Sequence, residues 1–186
     1  MYNFHWKKYS YIAPLTFAQR QIKSHAGFLL RAGVYYDQIT GDSTLINDRQ
    51  KLYYNGFDDV RVLRSLSVRL APGLGANLLL FKNLYVSFVG FTSYDLYLYK
   101  YLTDIDEPGV AGKQTFAWVF DGKTSIGYHT ERFYAGLRFE VEHRTADLYN
   151  LSIQKNYTYT GIELGYRFDA PGVIRKFYRK TMPPGM

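Results

Sequence analysis

The sequence predicts an all-β protein: an antiparallel, up-and-down transmembrane β-barrel that lacks one or more N-terminal strands. Three observations predict it. In residues 158–168, Thr158, Thr160, Ile162, Leu164, Tyr166 and Phe168 share one side of an extended chain, and Gly161, Glu163, Gly165 and Arg167 share the other, because strand side chains alternate faces. Residues 133–142 repeat the arrangement, with Phe133, Ala135, Leu137, Phe139 and Val141 against Tyr134, Gly136, Arg138, Glu140 and Glu142. An apolar face backed by Arg and Glu suits a wall between lipid and a polar lumen. The third observation is that short turns near Lys82 and Glu131 alternate with longer connections at 41–59, 102–113 and 145–156, the asymmetry of outer-membrane barrels.

Taken in order, the first candidate strand covers 3–13, rich in aromatics but poorly alternating, and Pro14 ends it because proline cannot donate to a ladder. A polar connection, 15–24, leads to a clear strand over 27–39. There Phe28, Leu30, Ala32, Val34 and Tyr36 oppose Gly27, Arg31, Gly33, Tyr35 and Asp37. Turn-forming Asp42, Asn47, Asp48 and Asn55-Gly56 mark 41–59 as loop, with Lys51 to Tyr54 the best place for an overlooked strand. Residues 60–78 set Leu66, Val68, Leu70 and Leu74 against Arg61, Ser65, Ser67 and Arg69. Residues 84–101 oppose Val86, Phe88, Leu96 and Leu98 to Ser87, Ser93, Asp95 and Tyr97. In 115–128, Phe116, Trp118 and Phe120 share a face against Asp121, Lys123 and Ser125. Several of these strands exceed ten residues, where ordinary sheets average about five or six and a bilayer takes about nine to eleven.

The count is about seven. Single-chain barrels normally have an even number, so one strand is missing or overlooked. The start of the chain, with Lys7 and Lys8 followed by tyrosines and Pro14, has no apolar core for a secretory signal. Both facts point to lost N-terminal sequence. The expected organisation is a barrel domain over 1–168 and a basic tail over 169–186.

Composition excludes several classes. The chain has 186 residues and no Cys, so disulfides and thiolate metal sites are absent. Its apolar run Leu78, Leu79, Leu80, Phe81 is far too short for a membrane helix. The net charge of +7 is densest at Arg175, Lys176, Arg179 and Lys180. No phosphate loop or RNA-binding aromatic motif accompanies it, so nucleic acid is not an expected partner. The tail offers a basic contact for acidic lipid or a periplasmic partner. The 19 Tyr and 13 Phe suit strands and membrane-interface belts.

Periodicity does not say which face looks inward. A soluble, lipocalin-like cup would put the apolar face inside and its charges in water. Strand length and loop asymmetry favour the membrane.

The run Phe17 to Gly33 (FAQRQIKSHAGFLLRAG), with LAPGLG at 70–75, FYAGL at 133–137 and GYRFDAP at 165–171, resembles an uncharacterised Bacteroidota family of outer-membrane β-barrels. The resemblance covers nearly the whole chain. It implies an outer-membrane location, contact with outer-membrane lipid and handling by the barrel assembly machinery, and supplies no activity, cofactor or catalytic residue. Barrels of this kind usually end on an aromatic that signals assembly, whereas eighteen residues follow Phe168.

Candidate chemistry is thin. His5, His25, His129 and His143 are scattered without ligand spacing, so no metal or cofactor is expected. A Ser152–His143 pair is the sole hint of an embedded hydrolase, and no third residue orients it. No catalysis is expected. The predicted site is the set of lumen charges: Arg31, Arg61, Arg69, Lys123, Arg138, Glu140, Glu142, Glu163 and Arg167. They either pair and fill a narrow barrel or line a small pore. A two-residue turn at Glu131-Arg132 would put Lys123 opposite Glu140 and Ser125 opposite Arg138.

Overall fold

Period-two segments separated by turn chemistry form long strands. The structure, a computed structural model, describes residues 1–5, 8–12, 23–53, 59–81, 83–103, 110–148, 151–168 and 172. Its strands are β1 (Tyr2–Asn3), β2 (His25–Thr40), β3 (Val62–Leu80), β4 (Leu84–Leu102), β5 (Val110–His129), β6 (Phe133–Leu148) and β7 (Leu151–Tyr166). They make one antiparallel, up-and-down sheet in sequence order. No helix among the described residues is long and apolar enough to cross a membrane.

β2 to β7 run 16 to 20 residues. At about 3.3 Å per residue a 19-residue strand is about 60 Å long, about 45 Å in height when tilted by about 45°, against a hydrocarbon core of about 30 Å. Strands of this length would project beyond a bilayer.

The turns follow their residues. Thr130 closes the β5–β6 hairpin, its amide donating to the Phe133 carbonyl at 2.8 Å and its hydroxyl accepting from the Phe133 amide at 2.8 Å. The β3–β4 turn holds Phe81 in the left-handed region at φ 50°, an uncommon state for a bulky side chain. In the β2–β3 connection the Asn47 carbonyl and side chain accept from the Gln50 and Arg49 amides, opening the 3-10 turn Lys51–Tyr53. Outside the strands, the Lys51 ammonium bonds the exposed Asp48 carboxylate at 2.7 Å and holds its pKa below the ordinary value.

The sheet curls until its far strands meet across the interior. Arg31 on β2 pairs with Asp121 on β5, and Asp37 on β2 pairs with Arg144 on β6 and Lys155 on β7. It is not closed, however: β7 and β1 are the edges, and no strand is hydrogen-bonded between them among the described residues. The antiparallel, up-and-down order is the one expected, and closure is not seen among the described residues. Three corrections follow. The first strand is two residues rather than 3–13, because the chain turns at Phe4-His5 and Lys8 and Tyr9 amides bond the His5 carbonyl. The Lys51 stretch is a helical turn, not a strand, and Tyr54 lies outside the described residues. Most of the expected 145–156 loop is strand, since β6 and β7 pair as far as Leu148 opposite Leu151, and residues 149–150 lie outside the described residues. Its polar residues decorate strand ends that extend past the apolar band.

Two apolar clusters sit inside the curl. At one end Tyr97, Tyr99, Tyr101, Leu63, Ala117, Ala146 and Leu148 pack with Ile46 and Val60 of the folded-over connection. At the other, Leu29, Ala71, Val89 and Phe91 pack with Tyr9 from the segment between β1 and β2. Burial pushes the Tyr9 phenol pKa up. Between these clusters along β3 and β4 lie Arg69 and Asp95.

Candidate functional site in the enclosed polar face

Alternation decides what enters the interior. Along β3 the residues Ser65, Ser67, Arg69 and Ala71 are buried and Leu66, Val68, Leu70 and Leu74 are exposed. β4 and β5 repeat this, with Ser93, Asp95 and Asp121 buried and Phe88, Tyr94 and Phe116 exposed. On these strands Arg69, Asp95 and Asp121 face in, and Leu70, Phe88 and Phe116 face out.

The inner charges form two networks. In the first, Arg69 and Asp95, 2% and 0% exposed at the side chain, are joined by an Nε–Oδ2 bond of 2.8 Å. The Ser93 hydroxyl donates to Asp95 Oδ1 at 2.7 Å. Arg144 reaches Asp95 at 3.9 Å and Asp37 at 2.9 Å, and Lys155 donates to Asp37 at 3.2 Å. Arg69 Nη2 lies 3.8 Å from Glu142, and the Arg69 and Arg144 guanidinium carbons stand 4.4 and 5.8 Å from the Tyr35 ring centre, a cation–π arrangement. Local sequence explains the location. The β3–β4 ladder passes from Val68–Leu96 to Gly73–Phe91, and Pro72, which has no N–H to give, lies in the interval with Arg69.

In the second network, Lys123 donates to Glu140 at 2.9 Å, and Arg138 bonds Glu140 at 3.2 Å and Glu163 at 3.0 Å. Arg31 meets Asp121 at 2.5 Å and lies over Phe91. Among the described residues, six cations (Arg31, Arg69, Lys123, Arg138, Arg144, Lys155) face six carboxylates (Asp37, Asp95, Asp121, Glu140, Glu142, Glu163). Within these networks the formal charges balance.

Residues 1–168 match the family model described as "Domain of unknown function (DUF4421)". The chain belongs to that family. No curated protein and no solved structure matches it. The DUF4421 match spans every strand, and the basic residues Arg175, Lys176, Arg179 and Lys180 beyond it lie outside the described residues.

Of the charges expected inside this DUF4421 chain, Arg31, Arg69, Lys123, Arg138, Glu140, Glu142 and Glu163 join the networks. The anticipated pairs are present: Lys123 opposes Glu140 and Ser125 opposes Arg138. Arg61 does not join them. It precedes β3, exposed, its amide donating to the Leu102 carbonyl and its own carbonyl accepting from Gly41. Arg167 sits at the rim beyond β7, donating to the Thr130 carbonyl at 3.0 Å and stacked over Tyr134. Sequence reasoning missed Asp37, Asp95, Asp121, Arg144 and Lys155 as site members, although parity already put Asp37, Asp95 and Asp121 on the polar face.

His143 and Ser152 are held apart. His143 Nδ1 donates to Asn156 Oδ1 at 2.5 Å and Nε2 accepts from Thr145, whereas Ser152 stands opposite Asp147. Among the described residues no group of three or more His, Cys, Asp or Glu converges as metal ligands would.

Proposed function

We propose that the chain forms most of a transmembrane β-barrel of a bacterial outer membrane, non-enzymatic, with a lumen packed shut so that it serves structurally rather than as an open pore. The observation that carries this reading is the inversion of faces. Ion pairs such as Arg69–Asp95 are enclosed, while Leu70 is 61%, Phe116 66% and Ile162 74% exposed. Water does not favour such a surface, and lipid does. The apolar band ends at Tyr36 and Phe116 on one side and at Tyr128, Tyr166 and Phe168 on the other, all exposed, as interfacial aromatic girdles do. A lipocalin-like cup would bury this band instead.

Closure follows from direction and register. Open edges do not persist in hydrocarbon. Six antiparallel pairings make β1 and β7 run the same way, so antiparallel closure needs one further strand, or another odd number, between them. Tyr2 faces Leu30 and Asn3 faces Leu29, so chain preceding Tyr2 would continue along the remainder of β2. N-terminal strands in that position give an even count. Outer-membrane lipid and the barrel assembly machinery are the partners this reading names, and nucleic acid is not one.

Cell fractionation with gel mobility tests it. The full-length protein should enter the outer-membrane fraction and migrate differently before and after boiling, because a closed sheet resists detergent until heated. Soluble, monodisperse protein obtained without detergent would contradict it.

A further inference from the structure

Residues 8–12, between β1 and β2, run inside the curl. Tyr9 is 1% exposed, whereas Lys8 and Ile12 on either side are exposed. Gly27 and Gly75 face each other in the β2–β3 register and make the seat for the ring. A Cβ at Gly75 would collide with the Tyr9 hydroxyl, and one at Gly27 would lie 3.2 Å from the ring. The Asn77 side chain donates to the Ser10 carbonyl at 2.9 Å and accepts from the Ser87 hydroxyl at 2.6 Å. Tyr11 stands edge-on to Phe91 of β4, with ring centres 6.4 Å apart. It also feels the charges of Arg31 on β2, Asp121 and Lys123 on β5 and Glu140 on β6. The segment therefore reaches across the lumen at the end that bears the tight turns. Two observations bear on how firmly it is held. The Tyr9 hydroxyl is enclosed with no hydrogen-bond partner among the described residues, and such a group weakens the state that buries it. The Lys123, Glu140 and Arg138 side chains around this end are partly exposed, whereas Arg69 and Asp95 beyond them are enclosed.

We propose that residues 8–12 are a reversible plug of the tight-turn end, and that their withdrawal admits water and small solutes to a blind vestibule lined by Lys123, Arg138 and Glu140. The Arg69–Asp95 pair is the floor of that vestibule, so withdrawal exposes charge without opening a path through the barrel. The inference rests on the barrel reading above and adds a moving element to it. The facing glycines explain the seat, and the unpaired hydroxyl explains why the seated state is only moderately favoured.

The chain has no cysteine, so Ser125→Cys supplies a unique thiol. Ser125 is buried on the inner face of β5, in the cross-strand row that contains Asn77, Ser87 and Arg138. Full-length protein carrying this reporter, in neutral detergent micelles, is treated with a charged methanethiosulfonate reagent, and the rate of modification is read by mass spectrometry. The thiol should react slowly, at a rate set by the fraction of time the plug is out. Tyr9→Phe removes the unpaired hydroxyl and keeps the ring, and should slow the reaction about fivefold. Tyr9→Ala, which removes the ring, and Gly75→Ala, which crowds its seat, should each quicken it about tenfold. Heat-dependent gel mobility is recorded for every variant, and Tyr9→Phe, the mildest change, decides the matter where the alanine variants do not fold. A normal gel shift with a reporter rate unchanged by Tyr9→Ala, or not lowered by Tyr9→Phe, overturns the plug and leaves the barrel intact. Absence of any gel shift in the unmodified protein overturns both.

Discussion

Asp95→Asn tests whether the interior is a packed ion-pair network. Asp95 is wholly enclosed and accepts from Arg69 Nε at 2.8 Å and Ser93 Oγ at 2.7 Å, with Arg144 at 3.9 Å. The asparagine keeps one acceptor, which serves either Arg69 or Ser93. Its NH2 then faces donors. Arg69, 2% exposed, retains Glu142 at 3.8 Å as its carboxylate neighbour, too long for a good hydrogen bond. Removing one partner of a buried pair costs about 3–5 kcal/mol, and the retained acceptor places the substitution near the lower end, about 3 kcal/mol. Urea unfolding of protein refolded into micelles, followed by tryptophan fluorescence and gel mobility, gives the measurement. The double variant Arg69→Met/Asp95→Leu should recover most of the loss, since apolar residues replace a buried pair at little cost. Asp48→Asn on the exposed connection should change nothing measurable. Wild-type stability in Asp95→Asn, within about 0.5 kcal/mol, would mean that water reaches the pair and the lumen is not packed.

The remaining predictions bear on other parts of the wall. Leu137→Arg on the outer face should weaken insertion or stability by about 2–4 kcal/mol near the midplane, whereas Arg138→Leu should disturb the Glu140–Glu163 network and spare insertion; liposome-flotation yields compare them, and the reverse order would mean the sheet is inside out. Glu140→Gln should cost about 1–2 kcal/mol, since Lys123 and Arg138 both lose a charged partner that is still partly exposed. Planar bilayers should show no steady conductance before or after that change, and an unaltered stability with anion-shifted conductance would point to a water-filled pore. Gly73→Ala should destabilise by about 1–3 kcal/mol, because its Cβ would lie 2.3 Å from the Phe91 ring and 2.7 Å from the Gly90 carbonyl. Gly161→Ala should cost less in the same unfolding assay, because the atoms it meets belong to the Tyr159 side chain.

Which residues face each other was legible where alternation was clean. The two-residue turn at Glu131-Arg132 fixes the β5–β6 register, and with it the Lys123–Glu140 pair. Strand ends were less legible. The 145–156 stretch reads as loop because Asp147, Ser152, Gln154 and Asn156 are polar, yet these residues lie on strand past the apolar band, where the outer face no longer selects for apolar side chains. The N-terminal segment misled in the opposite sense: its aromatics suit a strand, but Tyr9 instead enters the interior over Gly75 and Gly27. The joining of Asp37 to Arg144, 107 positions apart, depends on how far the sheet curls. Alternation within a strand contains nothing about that.

The central claim is that the outward apolar face meets lipid, and Trp118 reports on it most directly. The chain has two tryptophans, Trp6 and Trp118, so Trp6→Phe leaves a single probe on the outer face of β5, 39% exposed. That variant is folded into phosphatidylcholine vesicles with bromine on the acyl chains, and the fluorescence is compared with vesicles lacking bromine. Strong quenching by the brominated chains is the predicted result. Fluorescence indifferent to bromine, from protein bound to the same vesicles, would show that Trp118 faces away from lipid and would contradict the account.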